Sequence, residues 1–173
     1  EDGRRPDVEG KEAPPGVLFV LDSRTLQRDC LIECLGKQGV KLEIVPCGTV
    51  RDVRMRKLES GRPSAILVCI GDRKITAPAV VDEISSIIEE FDPVPIMLLA
   101  ESEEPIEVLN ALECGVKGYI PQSTSISICV EAINLAMAGG VYVPASCVLS
   151  MAKVAASEPQ STALTDMFTT RQL

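Results

Sequence analysis

The chain has 173 residues, 46% of them hydrophobic, and a formal net charge of −8. That length suits one well-buried α/β core with tails and falls short of two full domains, while the negative balance argues against direct binding to a phosphate backbone, which relies on Lys and Arg. No apolar run reaches the roughly 18 residues of a membrane span, and the first ten residues are charged rather than leader-like, so a soluble, cytoplasmic protein without a membrane partner is expected.

Residues 1–15 are charged and rich in Pro and Gly, and are expected to be a disordered tail. Residues 16–22 form an apolar run ending in Asp22, as in a parallel strand buried on both faces. Ser23 is the expected cap of a helix whose Leu26, Cys30, Leu31, Cys34 and Leu35 recur at helical spacing, with Gly36 as its stop. Residues 42–46 read as an edge strand, since they contain Glu43 and Pro46. Thr49 is the expected cap of a helix turning Val50, Val53 and Leu58 inward, and its Arg51, Arg54, Arg56 and Lys57 read as a solvated face rather than a phosphate site.

Residues 64–70 are the most hydrophobic strand and the expected centre of the sheet, followed by a helix with Val81, Ile84, Ile88 and Phe91 inward. Residues 95–100 form a fourth strand, Pro105 opens the next helix with Glu103 and Glu104 nearby, and residues 116–120 form a fifth strand. Ser123, Thr124 or Ser125 caps a helix running to Ala138, on which Ile128, Cys129, Ala132, Ile133 and Ala136 are expected to face the sheet. Ile126, Val130 and Met137 then form a second apolar line, a candidate dimer face. Strands alternating with helices argue for a doubly wound, all-parallel, five-stranded α/β sheet.

Seven cysteines, at 30, 34, 47, 69, 114, 129 and 147, lack a C-x-x-C pair, and no histidine is present to complete a zinc site. They read as reduced, buried thiols, and no cofactor is expected. An enzyme of this fold is disfavoured because the chain lacks histidine, a nucleophile elbow and a convergent acid/base pair.

The block Ala111-Leu112-Glu113-Cys114-Gly115-Val116-Lys117-Gly118-Tyr119-Ile120-Pro121, followed by Ala132-Ile133 and Gly139-Gly140, resembles the last third of a response-regulator receiver domain of the LuxR (NarL/FixJ) type. The resemblance covers residues 16–145 and implies a flavodoxin-like (βα)5 fold with strand order 2-1-3-4-5. Residues 146–163 then read as a linker helix and linker. Residues 164–173, with Phe168-Thr169-Thr170-Arg171-Gln172, resemble the opening of a LuxR-type helix-turn-helix. DNA binding would accordingly reside in a domain beyond residue 173, with a homodimer and a histidine kinase or other signalling protein as implied partners.

Receivers of this family place two acids after the first strand, a phospho-accepting Asp after the third, a hydroxyl after the fourth and a Lys after the fifth. Position by position these fall on Leu21 and Asp22, Cys69, Leu99 and Gln122, so only Asp22 keeps its chemistry. Tyr119 matches the aromatic residue that reports switching. One carboxylate makes a poor magnesium site and a neutral thiol accepts no acyl phosphate, so regulation independent of aspartyl phosphorylation is expected. A displaced acceptor at Asp72, which together with Asp22 gives a weak metal site, is the less favoured reading. A second reading is a pseudo-receiver whose small-molecule ligand controls oligomerisation. Cys69 near Arg73 and Lys74 raises a redox reading through a lowered pKa, against which stands a buried small residue in place of Asp.

Overall fold

The computed structural model describes residues 15–157. Residues 1–14 of the tail expected over residues 1–15, residues 158–163 of the linker expected over residues 146–163, and the helix-turn-helix reading over residues 164–173 lie outside them. Eleven elements alternate along the chain: β1 (Gly16–Leu21), α1 (Thr25–Lys37), β2 (Leu42–Cys47), α2 (Val50–Ser60), β3 (Ala65–Gly71), α3 (Pro78–Phe91), β4 (Ile96–Ala100), α4 (Pro105–Cys114), β5 (Gly118–Pro121), α5 (Ile126–Met137) and α6 (Ala145–Ser157). The five strands form one parallel sheet in the order β2-β1-β3-β4-β5. As the sequence implies, β2 lies at an edge and β3 at the centre, where all seven residues are buried.

Strand alternation divides the interior into two layers. Phe19, Leu21, Ile66, Val68, Leu98 and Tyr119 pack with α3 and α4 through Ile84, Ile87, Phe91, Val108 and Ala111. Leu18, Val20, Leu67, Cys69, Met97 and Ile120 pack on the opposite face with Leu35 of α1 and Cys129, Ala132, Ile133 and Ala136 of α5. Each fully buried aliphatic side chain contributes roughly 1.5–3 kcal/mol of burial free energy. Beyond α5 the chain returns along the exposed edge of β5, where the Tyr119 N–H donates to the Tyr142 carbonyl at 3.1 Å. The helix α6 then packs Cys147 and Met151 into the first layer, so it extends the domain's core.

Several local expectations are corrected. Arg24, not Ser23, is the N-cap of α1, and the helix runs through Gly36 to Lys37 because the left-handed turn falls at Gly39, φ 75°. Leu26 is 72% exposed and Cys30 and Cys34 are exposed, so the inward face of α1 rests on Leu31, Ile32 and Leu35. Leu58 likewise faces outward. The fifth strand begins at Gly118 rather than residue 116. On α5, Val130 is buried and Ile126 and Met137 pack against the core, whereas Ile128 and Leu135 are exposed. The exposed Ser127, Glu131 and Asn134, at helical spacing, mark the solvent face of α5, and the outward apolar line beside them runs through Ile128 and Leu135.

Candidate functional site

The carboxyl ends of the strands form the rim where open α/β sheets gather their ligands. Leu21, Asp22, Cys69, Leu99 and Gln122 all lie on or just past those ends: Leu21 pairs with Val68, Cys69 with Leu99, and Leu99 with Ile120 in register. Leu21 and Cys69 are buried and Gln122 is exposed. Leu21 points into the layer beneath α3, and Cys69 and Leu99 point toward α1 and α5. Asp22, Leu99 and Gln122 come together in the lining of one cleft, while Leu21 turns into the opposite layer.

The charged centre of the rim is Asp22, which is 3% exposed. Its carboxylate is taken up by Arg24. The backbone N–H of Arg24 donates to Oδ1 at 2.9 Å, Nε donates to Oδ1 at 3.1 Å, and Nη2 donates to Oδ2 at 3.1 Å. Nη1 also reaches Glu101 Oε1 at 3.4 Å. Such a fork is the strong, geometrically fixed form of a guanidinium–carboxylate pair. Hydrogen bonding to Asp22 raises the Arg24 pKa above its ordinary value, despite the opposing effect of burial.

The guanidinium reaches this place because the chain leaves it room. A Cβ at Gly71 would stand 2.8 Å from Arg24 Nη1, and Gly71 has φ +61°, a left-handed conformation suited to glycine. Arg28 fastens the same loop by donating from Nη1 to the Asp22 carbonyl at 3.1 Å. Sequence reasoning missed Arg24, since an Arg two residues after an Asp looks like ordinary loop charge. Its signal was the coincidence of Arg24 in one rim loop with Gly71 in another.

Magnesium does not fit these residues. The one acid at the rim's centre already has both oxygens engaged by a cation, and among the described residues no three His, Cys, Asp or Glu side chains group so as to hold a metal ion. Asp72 is exposed in the turn after β3. The surroundings expected to activate Cys69 are also absent: Arg73 pairs with Glu83 at 2.9 Å and Lys74 with Glu104 at 3.4 Å. Burial, reinforced by the Asp22 charge, pushes the Cys69 thiol well above its ordinary pKa, so it is a neutral packing group. The basic face of α2 is similarly occupied, with Arg54 and Lys57 on Glu90 and Arg56 on Glu59.

Tyr119 is fully buried, and its hydroxyl donates to the Ser102 carbonyl at 2.8 Å. Burial raises its pKa to about 12. A second buried carboxylate, Glu107, was also missed. It accepts from the Ile75 N–H at 2.7 Å and from Thr76 Oγ1 at 3.0 Å, tying the loop after β3 to the start of α4.

Beside the Asp22–Arg24 pair, between α1 and α5, lies an open cleft of about 350 Å³. Leu31, Leu99, Ile120 and Ile126 supply its apolar walls, and Cys30, Cys34 and Cys129 also line it. Gln27, Gln122 and Thr124 add polar groups.

No family model matches the chain. Over 126 residues it is 21% identical to the transcriptional regulatory protein DegU of Brevibacillus brevis, a match covering 73% of this chain and 52% of that protein. The chain thus spans about half the length of this curated relative. Among solved structures it is similar to a LuxR family DNA-binding response regulator from Silicibacter pomeroyi, at TM-score 0.61 and 23% identity, covering 76% of this chain and 98% of that one. A LuxR family two-component response regulator from an Aurantimonas species superposes at TM-score 0.67 and 16% identity, covering 83% and 99%. The isolated receiver domain of RcsB from Salmonella enterica serovar Typhimurium, solved in the presence of phosphomimetic beryllofluoride, superposes at TM-score 0.63 and 12% identity, covering 78% and 97%. The fold is that of a response-regulator receiver domain, and these relatives include LuxR-family response regulators.

Proposed function

We propose that this receiver domain is the regulatory module of a LuxR-family transcriptional regulator and works without aspartyl phosphorylation. The observation carrying this reading is the Arg24 guanidinium clasped across Asp22, the sole acid kept at the five reactive positions. In a receiver that uses phosphoryl chemistry, those carboxylate oxygens bind a divalent cation, and an acyl phosphate forms on a neighbouring Asp. Here a tethered cation neutralises the carboxylate, and Cys69 offers a buried neutral thiol at the acceptor position. DNA contact belongs to another part of a longer protein, since these 173 residues carry a net charge of −8.

Without a phosphoryl switch, the module acts through association. Ile128 and Leu135, seven residues apart on α5, are 46% and 43% exposed. A second copy covering these side chains makes the homodimer that brings two DNA-binding domains together. A kinase, if one docks, acts as a binding partner rather than a phosphoryl donor.

Intact-mass measurement after incubation with acetyl phosphate and magnesium tests the reading. No phosphoryl adduct is expected on the wild-type chain. An adduct mapping to Asp22 or Asp72 overturns the proposal. Sedimentation should show a self-associating species that Ile128→Glu converts to monomer.

A further inference from the structure

We propose that the cleft between α1 and α5 is a receptor site for a neutral, apolar α,β-unsaturated carbonyl compound, which Cys30 or Cys34 captures as a thioether. The cleft volume of about 350 Å³ lies within the roughly 300–1,000 Å³ of small-molecule sites. Its wall chemistry selects the ligand class. Leu31, Leu99, Ile120 and Ile126 favour an apolar body, and the amides of Gln27 and Gln122 and the hydroxyl of Thr124 offer donors to a carbonyl oxygen. The two charged lining residues, Asp22 and Arg24, neutralise each other, so the cleft presents no free cation to a phosphate or carboxylate.

Three thiols line this one cleft and differ in kind. Cys129 is 3% exposed, and burial pushes its pKa to about 11, so it forms a wall. Cys30 and Cys34 are exposed, although free cysteine is among the residue types most often buried. They stand four residues apart on α1 and therefore share one face on successive turns. An apolar cleft with two accessible nucleophiles on one wall suits capture of an electrophile.

The step balances without an oxidant. A thiol first loses its proton to solvent. The thiolate Sγ then bonds to the β-carbon, the electron pair of the C=C bond shifts toward the carbonyl as an enolate, and the α-carbon takes a proton from water. Nothing leaves. The proposal concerns a different chemistry from the phosphorylation-independent reading of Asp22, and its outcome does not depend on that reading.

N-phenylmaleimide serves as the apolar probe, a sulfonated maleimide as the polar control, and N-phenylsuccinimide, which lacks the double bond, as an unreactive competitor. On the whole chain, substoichiometric N-phenylmaleimide should give one adduct that peptide mapping places on Cys30 or Cys34. The rate should saturate with probe concentration, fall when the succinimide is added, and favour the apolar over the sulfonated reagent about ten-fold more than glutathione does. The Cys30→Ser/Cys34→Ser double variant should lose this fast phase. A rate linear in probe concentration with the preference shown by glutathione, or first labelling at Cys114, overturns the proposal. Both of these readouts use the wild-type chain, so the test survives a variant that fails to fold.

Discussion

Two carboxylates are buried among the described residues, and they are satisfied in opposite ways. Asp22 at the rim of β1 is held by a guanidinium, with two side-chain contacts of 3.1 Å. Glu107 at the start of α4 is held by neutral donors, the Ile75 N–H and the Thr76 hydroxyl. The first arrangement cancels a charge where a receiver would use it, with the Arg24 side chain still 33% exposed to solvent. The second buckles two segments together in a place shielded from water. A buried carboxylate alone therefore marks neither function nor structure; its partners decide.

The sharpest way to break this comparison is Glu107→Ala. It strands the Ile75 N–H in the core and frees the loop after β3, so a loss of about 2–4 kcal/mol is expected, read by urea denaturation. A loss no larger than that of an exposed-surface substitution would show that the strap does not contribute. Arg24→Met should cost less, about 1–3 kcal/mol, because water already reaches the guanidinium and can partly solvate Asp22 once it is gone. Urea denaturation reads this variant too, and a cost as large as that of Glu107→Ala would break the comparison.

Tyr119→Phe removes the bond to the Ser102 carbonyl for a cost of about 1 kcal/mol. Because the folded pKa is raised to about 12 from an ordinary value of about 10, the stabilisation is full below pH 10 and is lost as pH rises toward 12. The variant should lack that part of the alkaline decline. The smallest effect belongs to the capping box of α2, where the backbone N–H groups of Thr49 and Gly48 hold the exposed Asp52 carboxyl below its ordinary pKa. Its contribution is present above about pH 4 and fades as pH falls through the lowered folded value. Asp52→Asn should flatten that acid limb slightly without altering neutral-pH structure.

Much of the fold is legible in the residues because local signals agree with one another. Apolar runs bounded by turns mark the strands, Pro105 opens α4, and Thr49 and Ser125 cap α2 and α5 by accepting backbone N–H donors. Orientation was harder wherever a helix lacked contrast. In α5 the polar face of Ser127, Glu131 and Asn134 is bordered by the exposed Ile128 and Leu135, which blurs the contrast with the inward Ile126, Val130 and Met137. In α1 the accessible Cys30 and Cys34 looked like core residues.

The sequence resemblance placed Leu21, Asp22, Cys69, Leu99 and Gln122 at the carboxyl ends of the strands, where the structure has them. The partners of Asp22 were not legible. The Arg24–Asp22 clasp depends on the space above Gly71, and the burial of Glu107 depends on a loop 31 residues earlier in the chain. Both are tertiary facts that helical or strand periodicity does not encode.

Amide NMR of the isotope-labelled chain, recorded with magnesium and then with beryllofluoride, tests the central claim most directly. The clasped Asp22 and neutral Cys69 predict unchanged resonances around Asp22, Cys69 and Gln122 through both additions. Saturable shifts centred on those residues would contradict the account and identify a working phosphorylation switch.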